Sequence, residues 1–109
     1  MADITVWTGQ SGKQYTFEVY PLNMTFNLSA CVYIYMKKVG EKWGVIYVGQ
    51  TSQLATRLAQ HATGNEGSDK CIQRSGATHL HVCGLTSESA RFAAETDIRN
   101  SLNPSCNMQ

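Results

Sequence analysis

The chain has 109 residues, 42% of them hydrophobic, which is the size and composition of one ordinary domain able to bury a core without staples. Its formal net charge of +1 excludes the strong positive field of a tight, non-specific, stand-alone nucleic-acid binder. The longest apolar stretch, about Ala30 to Met36, is too short to cross a bilayer, and no charged and apolar leader opens the chain, so a soluble, unsecreted, cytoplasmic protein is expected.

Ile4 to Thr8 and Tyr15 to Tyr20 carry β-branched and aromatic residues on either side of Gly9-Gln10-Ser11-Gly12, and they read as a hairpin added at an edge. Pro21 to Ser29 is a polar connector. The runs Cys31 to Met36 and Gly44 to Val48, joined by a polar turn containing Gly40, predict a second antiparallel hairpin with Tyr33 and Tyr35 on one face and Tyr47 on the facing strand.

Thr51 or Ser52 is expected to cap a helix running to about Ala62, with Leu54, Ala55, Leu58 and Ala62 as its apolar stripe. Arg57 and His61 then share the border of that stripe. Gly64 to Asp69 reads as a loop, Lys70 to Arg74 as a short helix stopped by Gly76, and His79 to Cys83 as a strand. Thr86 or Ser87 opens a last helix, with Glu88 in its first turn, that runs to about Leu102 before Pro104. The division expected is residues 1–29, a hairpin with its connector, and residues 30–109, the main fold, together forming one compact unit.

The cysteines Cys31, Cys71, Cys83 and Cys106 are widely and irregularly spaced, neither a zinc-finger pattern nor a disulfide framework, so a reducing compartment is expected. His79, His81 and Cys83 project from one face of one strand and are all zinc-ligand types, but neighbouring positions on that face are about 7 Å apart and no fourth ligand is evident. Glu95 is the most informative acid, because Phe92, Ile98 and Leu102 share its side of the helix. A half-buried carboxylate needs a cation, a donor or an ion pair. Arg91 and Arg99, four residues away on either side, are ordinary candidates for that pair.

Read in order, Cys31-Val32-Tyr33-Ile34-Tyr35, Tyr47-Val48-Gly49-Gln50-Thr51, Arg57, His61, Glu95 and Pro104-Ser105-Cys106-Asn107 resemble the motif series of the GIY-YIG nuclease superfamily. The arginine stands ten residues after the second tyrosine, and the asparagine twelve after the glutamate. The resemblance implies an α+β fold, a small antiparallel sheet flanked by helices. It also implies one Mg²⁺ or Mn²⁺ held by Glu95, with water and phosphate oxygens completing the shell as hard cations prefer.

By the same resemblance Tyr47 would act as general base or orient the attacking water, and Tyr33 would hydrogen-bond near the nucleophile. Arg57 would bind the scissile phosphate, His61 would assist proton transfer, and Asn107 would fix local geometry through its amide. The implied substrate is nucleic acid, most simply DNA, with specificity left to a protein partner or a homodimer. Cys31 replaces the glycine of the first motif, and Gln50 stands where some members carry lysine. The alternatives kept open are a non-catalytic nucleic-acid or protein binding module on the same fold, and a zinc-stabilised structural domain. The catalytic reading requires its residues to converge on one pocket that admits a phosphate and a cation.

Overall fold

The computed structural model describes residues 3–26 and 29–107; residues 27 and 28 of the connector, and the last two residues of the chain, lie outside the described residues. Alternation in the first segment produces β1 (Asp3–Thr8) and β2 (Gln14–Pro21), paired antiparallel around a turn in which Gly12 adopts φ 92°. A side chain at that φ is strained, so the turn asks for glycine. The second hairpin joins β3 (Cys31–Val39) to β4 (Lys42–Thr51) through Gly40, and β5 spans His79–Gly84.

Both strands of the second hairpin run past their apolar runs, because Lys37, Lys38 and Val39 continue the ladder opposite Gly44, Trp43 and Lys42. Backbone pairing needs no apolar side chain. The five strands form one antiparallel sheet in the order β1-β2-β5-β3-β4, with β3 between β5 and β4. Because β2 pairs with β5, the N-terminal hairpin extends the main sheet and places Phe17 in its core.

Three helices cover the sheet: α1 (Leu54–Thr63), α2 (Gly67–Arg74) and α3 (Glu88–Leu102). Every residue from Cys31 to Met36 is buried, which a strand allows only when both faces are covered. Cys31, Tyr33 and Tyr35 enter a core with Leu54 and Ile72 under α1 and α2, whereas Val32, Ile34 and Met36 enter a second core with Ala94 and Ile98 of α3. The expected fold class, an antiparallel sheet flanked by helices, is the one observed.

Four local expectations are corrected. The α1 cap residue is Gln53 without a side-chain cap; the Thr51 hydroxyl instead accepts from the Gln53 amide at 3.0 Å. Ala55 and Ala62 are exposed, and α1 buries Leu54 and His61, so its inner face is turned toward the histidine. Cys71 and Cys106 form a disulfide across 35 residues of sequence, a pairing created by the fold, while Cys31 and Cys83 stay free. The expected loop from Gly64 to Asp69 is also shorter, because α2 already begins at Gly67.

The zinc grouping also fails. His81 is buried between Trp7, whose Nε1 donates to its Nδ1 at 2.9 Å, and the edge of Trp43. His79 Nδ1 meets the Thr78 hydroxyl at 2.8 Å. Among the described residues no three His, Cys, Asp or Glu side chains gather as a metal site.

Candidate active site

Four of the six expected site residues meet on the face of the sheet covered by α1. Tyr33 lies on central β3 and is fully buried; Tyr47 lies on outer β4 and is half-buried. The two rings are 6.2 Å apart, and Tyr47 is 5.0 Å from the imidazole of His61. Gly49 makes this packing possible, since a Cβ there would stand 2.5 Å from the Tyr33 hydroxyl.

His61 is fully buried and has a partner at each nitrogen: the Tyr33 hydroxyl is 2.7 Å from Nε2, and Asp69 Oδ1 is 2.8 Å from Nδ1. An aspartate accepts, so Nδ1 carries the proton and Nε2 accepts from the Tyr33 O–H. Burial lowers the His61 pKa and the Arg57 charge lowers it further, while Asp69 opposes the fall. The ring is therefore neutral at pH 7. Burial also raises the Tyr33 pKa, so its hydroxyl keeps its proton.

Asp69 is the partner of His61 that the sequence did not single out. It sits in a capping box at the start of α2, where its Oδ2 accepts from the Glu66 amide at 3.3 Å. Gly64 lets that carboxylate approach, since a Cβ there would stand 2.1 Å from Asp69 Oδ2. The signal was present as Glu66 and Asp69 at capping-box spacing, but nothing in the spacing tied it to His61.

Arg57 stands beside both the Tyr33 and the Tyr47 hydroxyls, and its Nη1 donates to Gln60 at 3.0 Å. A permanent cation, two phenols and an oriented neutral histidine thus occupy one patch.

Glu95 and Asn107 are not part of that patch, and the convergence of Glu95 with Tyr47 and Arg57 on one pocket, expected from the sequence, is not what the described residues show: Glu95 lies on α3, which packs on the opposite face of the sheet, and Asn107 lies at the outer edge of β4. α3 lies across the opposite face and buries Arg91, Ala94 and Ile98. At roughly 100° per residue, Asp97 and Ser101 fall on its flank toward the N-terminal hairpin, where they bond Ser11, Tyr15 and Thr8. Glu95 and Arg99 fall on the other flank, toward β4. Arg91, one turn before Glu95, donates to Gln50 Oε1 at 3.1 Å, so this flank meets β4 near Gln50.

The Glu95 side chain is 13% exposed, and its buried Oε2 lies 3.1 Å from Nη1 of Arg99 as an ion pair one turn apart, outside hydrogen-bond geometry. Desolvation raises its pKa, and Arg99 limits the rise. Arg91 is not its partner: this buried guanidinium also donates to the carbonyls of Leu85 and Thr86. Asn107 grips the outer edge of β4, accepting from Val48 N at 2.8 Å and donating to Val48 O at 2.9 Å. It holds the strand one residue from Tyr47.

Residues 29–107 match the GIY-YIG catalytic domain. The chain belongs to the GIY-YIG family. The GIY-YIG N-terminal endonuclease domain of UvrC from Thermotoga maritima, bound to its catalytic divalent cation magnesium, superposes with a TM-score of 0.62 at 24% identity, covering 73% of this chain and 84% of that one. A point mutant of the same domain with its catalytic divalent cation gives a TM-score of 0.61 at 22% identity, covering 74% and 84%. No curated protein matches the chain.

The two departures from the GIY-YIG motifs have structural accommodation here. Cys31 is wholly buried in the α1 core, where burial pushes its thiol up to about 12, so its side chain fills space rather than crowding the site. Gln50 anchors Arg91 of α3. No helix among the described residues is long and apolar enough to cross a membrane.

Proposed function

We propose that this GIY-YIG domain is a divalent-metal-dependent endonuclease that hydrolyses phosphodiester bonds in DNA at the rim of β4. The observation that carries the reading is Arg57 beside two tyrosine hydroxyls, one of them held by the His61–Asp69 pair. A planar permanent cation suits a phosphate oxygen gaining charge, and a buried histidine bonded at both nitrogens fixes the Tyr33 hydroxyl beside it.

Half-buried Tyr47 faces the substrate and takes the water proton or aims the water, with Arg57 on the phosphate. Tyr33, protonated and fixed by His61, is a hydrogen-bonding strut beside them rather than the base. Asp69 keeps His61 in the tautomer that accepts from Tyr33. Asn107 keeps β4 in place.

Glu95 is the residue suited to hold Mg²⁺ or Mn²⁺: its buried Oε2 has only the Arg99 guanidinium at 3.1 Å, outside hydrogen-bond geometry, so a hard cation would have to compete with that ion pair for a desolvated oxygen. When bound, the ion supplies charge neutralisation and activates water. With Glu95 as the sole acid, the rest of its shell falls to water and phosphate. A protein partner or second copy supplies sequence preference, since the site residues address only phosphate.

Nicking of supercoiled plasmid with Mg²⁺ or Mn²⁺ tests the reading, comparing wild type with Glu95→Ala and Arg57→Ala. Each variant is expected to lose about 10²-fold or more. Equal activity in all three defeats the assignment, and binding without cleavage on any nucleic acid selects the non-catalytic module instead.

A further inference from the structure

The nine lysines and arginines are unevenly committed. Arg91 is buried and bonded, Arg99 is paired with Glu95, and Arg57 stands at the tyrosines. Lys37 and Arg74 make no ion pair among the described residues, and both line one cleft of about 520 Å³ beside β4. This cleft lies between the end of α2, the Gly44 to Ile46 segment of β4, and Ser105 of the C-terminal segment. No carboxylate lines it.

The cleft is held in shape from both sides. The Cys71–Cys106 disulfide lines it and ties α2 to the segment that runs along β4, where Ser105 and Cys106 donate backbone bonds to Val45 and Ile46. Gly76, at φ 76°, gives room to Lys37, whose Nζ is 3.4 Å from the place a Cβ would occupy. Two cations sharing a wall-bound cleft without an acid form a site for an anion.

We infer that this cleft is a second phosphate site, which receives a backbone phosphate of the DNA strand flanking the one cut at Tyr47. The identity of the ligand rests on the nuclease reading above. Lys37 pairs across the sheet with Gly44, three residues before Tyr47 on β4. At about 3.3 Å per residue that is about 10 Å, within reach of a neighbouring phosphate on the same DNA strand. A molecule with net charge +1 has little long-range attraction for DNA, so local cations next to the chemistry must carry the grip.

Fluorescence anisotropy of a labelled DNA duplex in EDTA, titrated with salt, tests the inference with wild type, Lys37→Ala, Arg74→Ala and the double variant. Lys13→Ala, which removes the same charge from the far hairpin, is the control. Each cleft variant is expected to weaken binding several-fold and reduce the salt slope by about 1, and the double variant by about 2, with the control slope unchanged. With Mg²⁺ the double variant should nick with raised KM and kcat within about twofold. Wild-type binding by the double variant, or an equal loss in the control, overturns the cleft; so does wild-type protein that binds no DNA. Slope loss confined to the cleft variants in a protein that never nicks keeps the cleft and rejects the nuclease reading. Nicking by a double variant that binds like wild type rejects the cleft alone.

Discussion

The Tyr33 hydroxyl lies 2.7 Å from Nε2 of His61, and both residues are wholly shut off from solvent. Since Nε2 accepts only while the ring is neutral, acid should disrupt the contact and produce an acidic limb in the rate. Asp69 opposes the lowering of the His61 pKa, so its loss should lower that pKa further. Asp69→Asn is therefore expected to move the acidic limb of nicking to lower pH while cutting the plateau rate by about 10- to 100-fold. A pH–rate profile that merely drops, with its limb unmoved, would assign Asp69 a packing role only.

Glu95 offers a test that needs no turnover. A cation that binds the folded state raises stability by about 2.7 kcal/mol at a hundred times its Kd. Magnesium or manganese should raise the Tm of the wild type and leave Glu95→Gln unmoved. In EDTA the variant is expected within about 1 kcal/mol of wild type, since it loses both the desolvated charge and the pair with Arg99. An equal metal-induced rise in both proteins would remove Glu95 from the metal assignment.

The disulfide closes 35 residues of chain, and restriction of the unfolded state over such a loop corresponds to about 3 to 4 kcal/mol. Reduction, or Cys71→Ala with Cys106→Ala, should lower the urea midpoint accordingly. Because Cys106 precedes Asn107, whose amide grips Val48, nicking should fall under the same conditions in protein that is still folded. Unchanged stability after complete reduction would show that packing alone seats the C-terminal segment.

His81 predicts acid sensitivity. Burial first, with the nearby His79 charge, lowers its pKa to about 4 from the ordinary 6.5. The unfolded chain then binds the proton more readily, so the stability this group contributes is complete above pH 6.5 and declines as pH falls to about 4. The loss amounts to at most about 3 kcal/mol. Denaturation midpoints between pH 7 and 4 should fall more steeply in wild type than in His81→Gln, which retains an acceptor for Trp7. Parallel curves would contradict the assignment.

Periodicity and punctuation determined much of this protein. The alternation around Tyr33 and Tyr47, the turn at Gly40, the Ser87 cap and the stop before Pro104 are local events, governed by backbone sterics and nearby hydrogen bonds, and they were legible residue by residue. The resemblance to the GIY-YIG motif series brought out Tyr33, Tyr47, Arg57, His61, Glu95 and Asn107 as candidates, Glu95 also by its half-buried place on the last helix. What tertiary structure alone decided were the partners: Asp69 behind His61, Gln50 beneath Arg91, Cys71 bonded to Cys106, and α3 across the face opposite the tyrosines. Those relations join residues far apart in the chain, and the energy that selects them comes from burying specific surfaces together. One amphipathic face fits many partners in principle, so its pattern says that it must be covered but not by what.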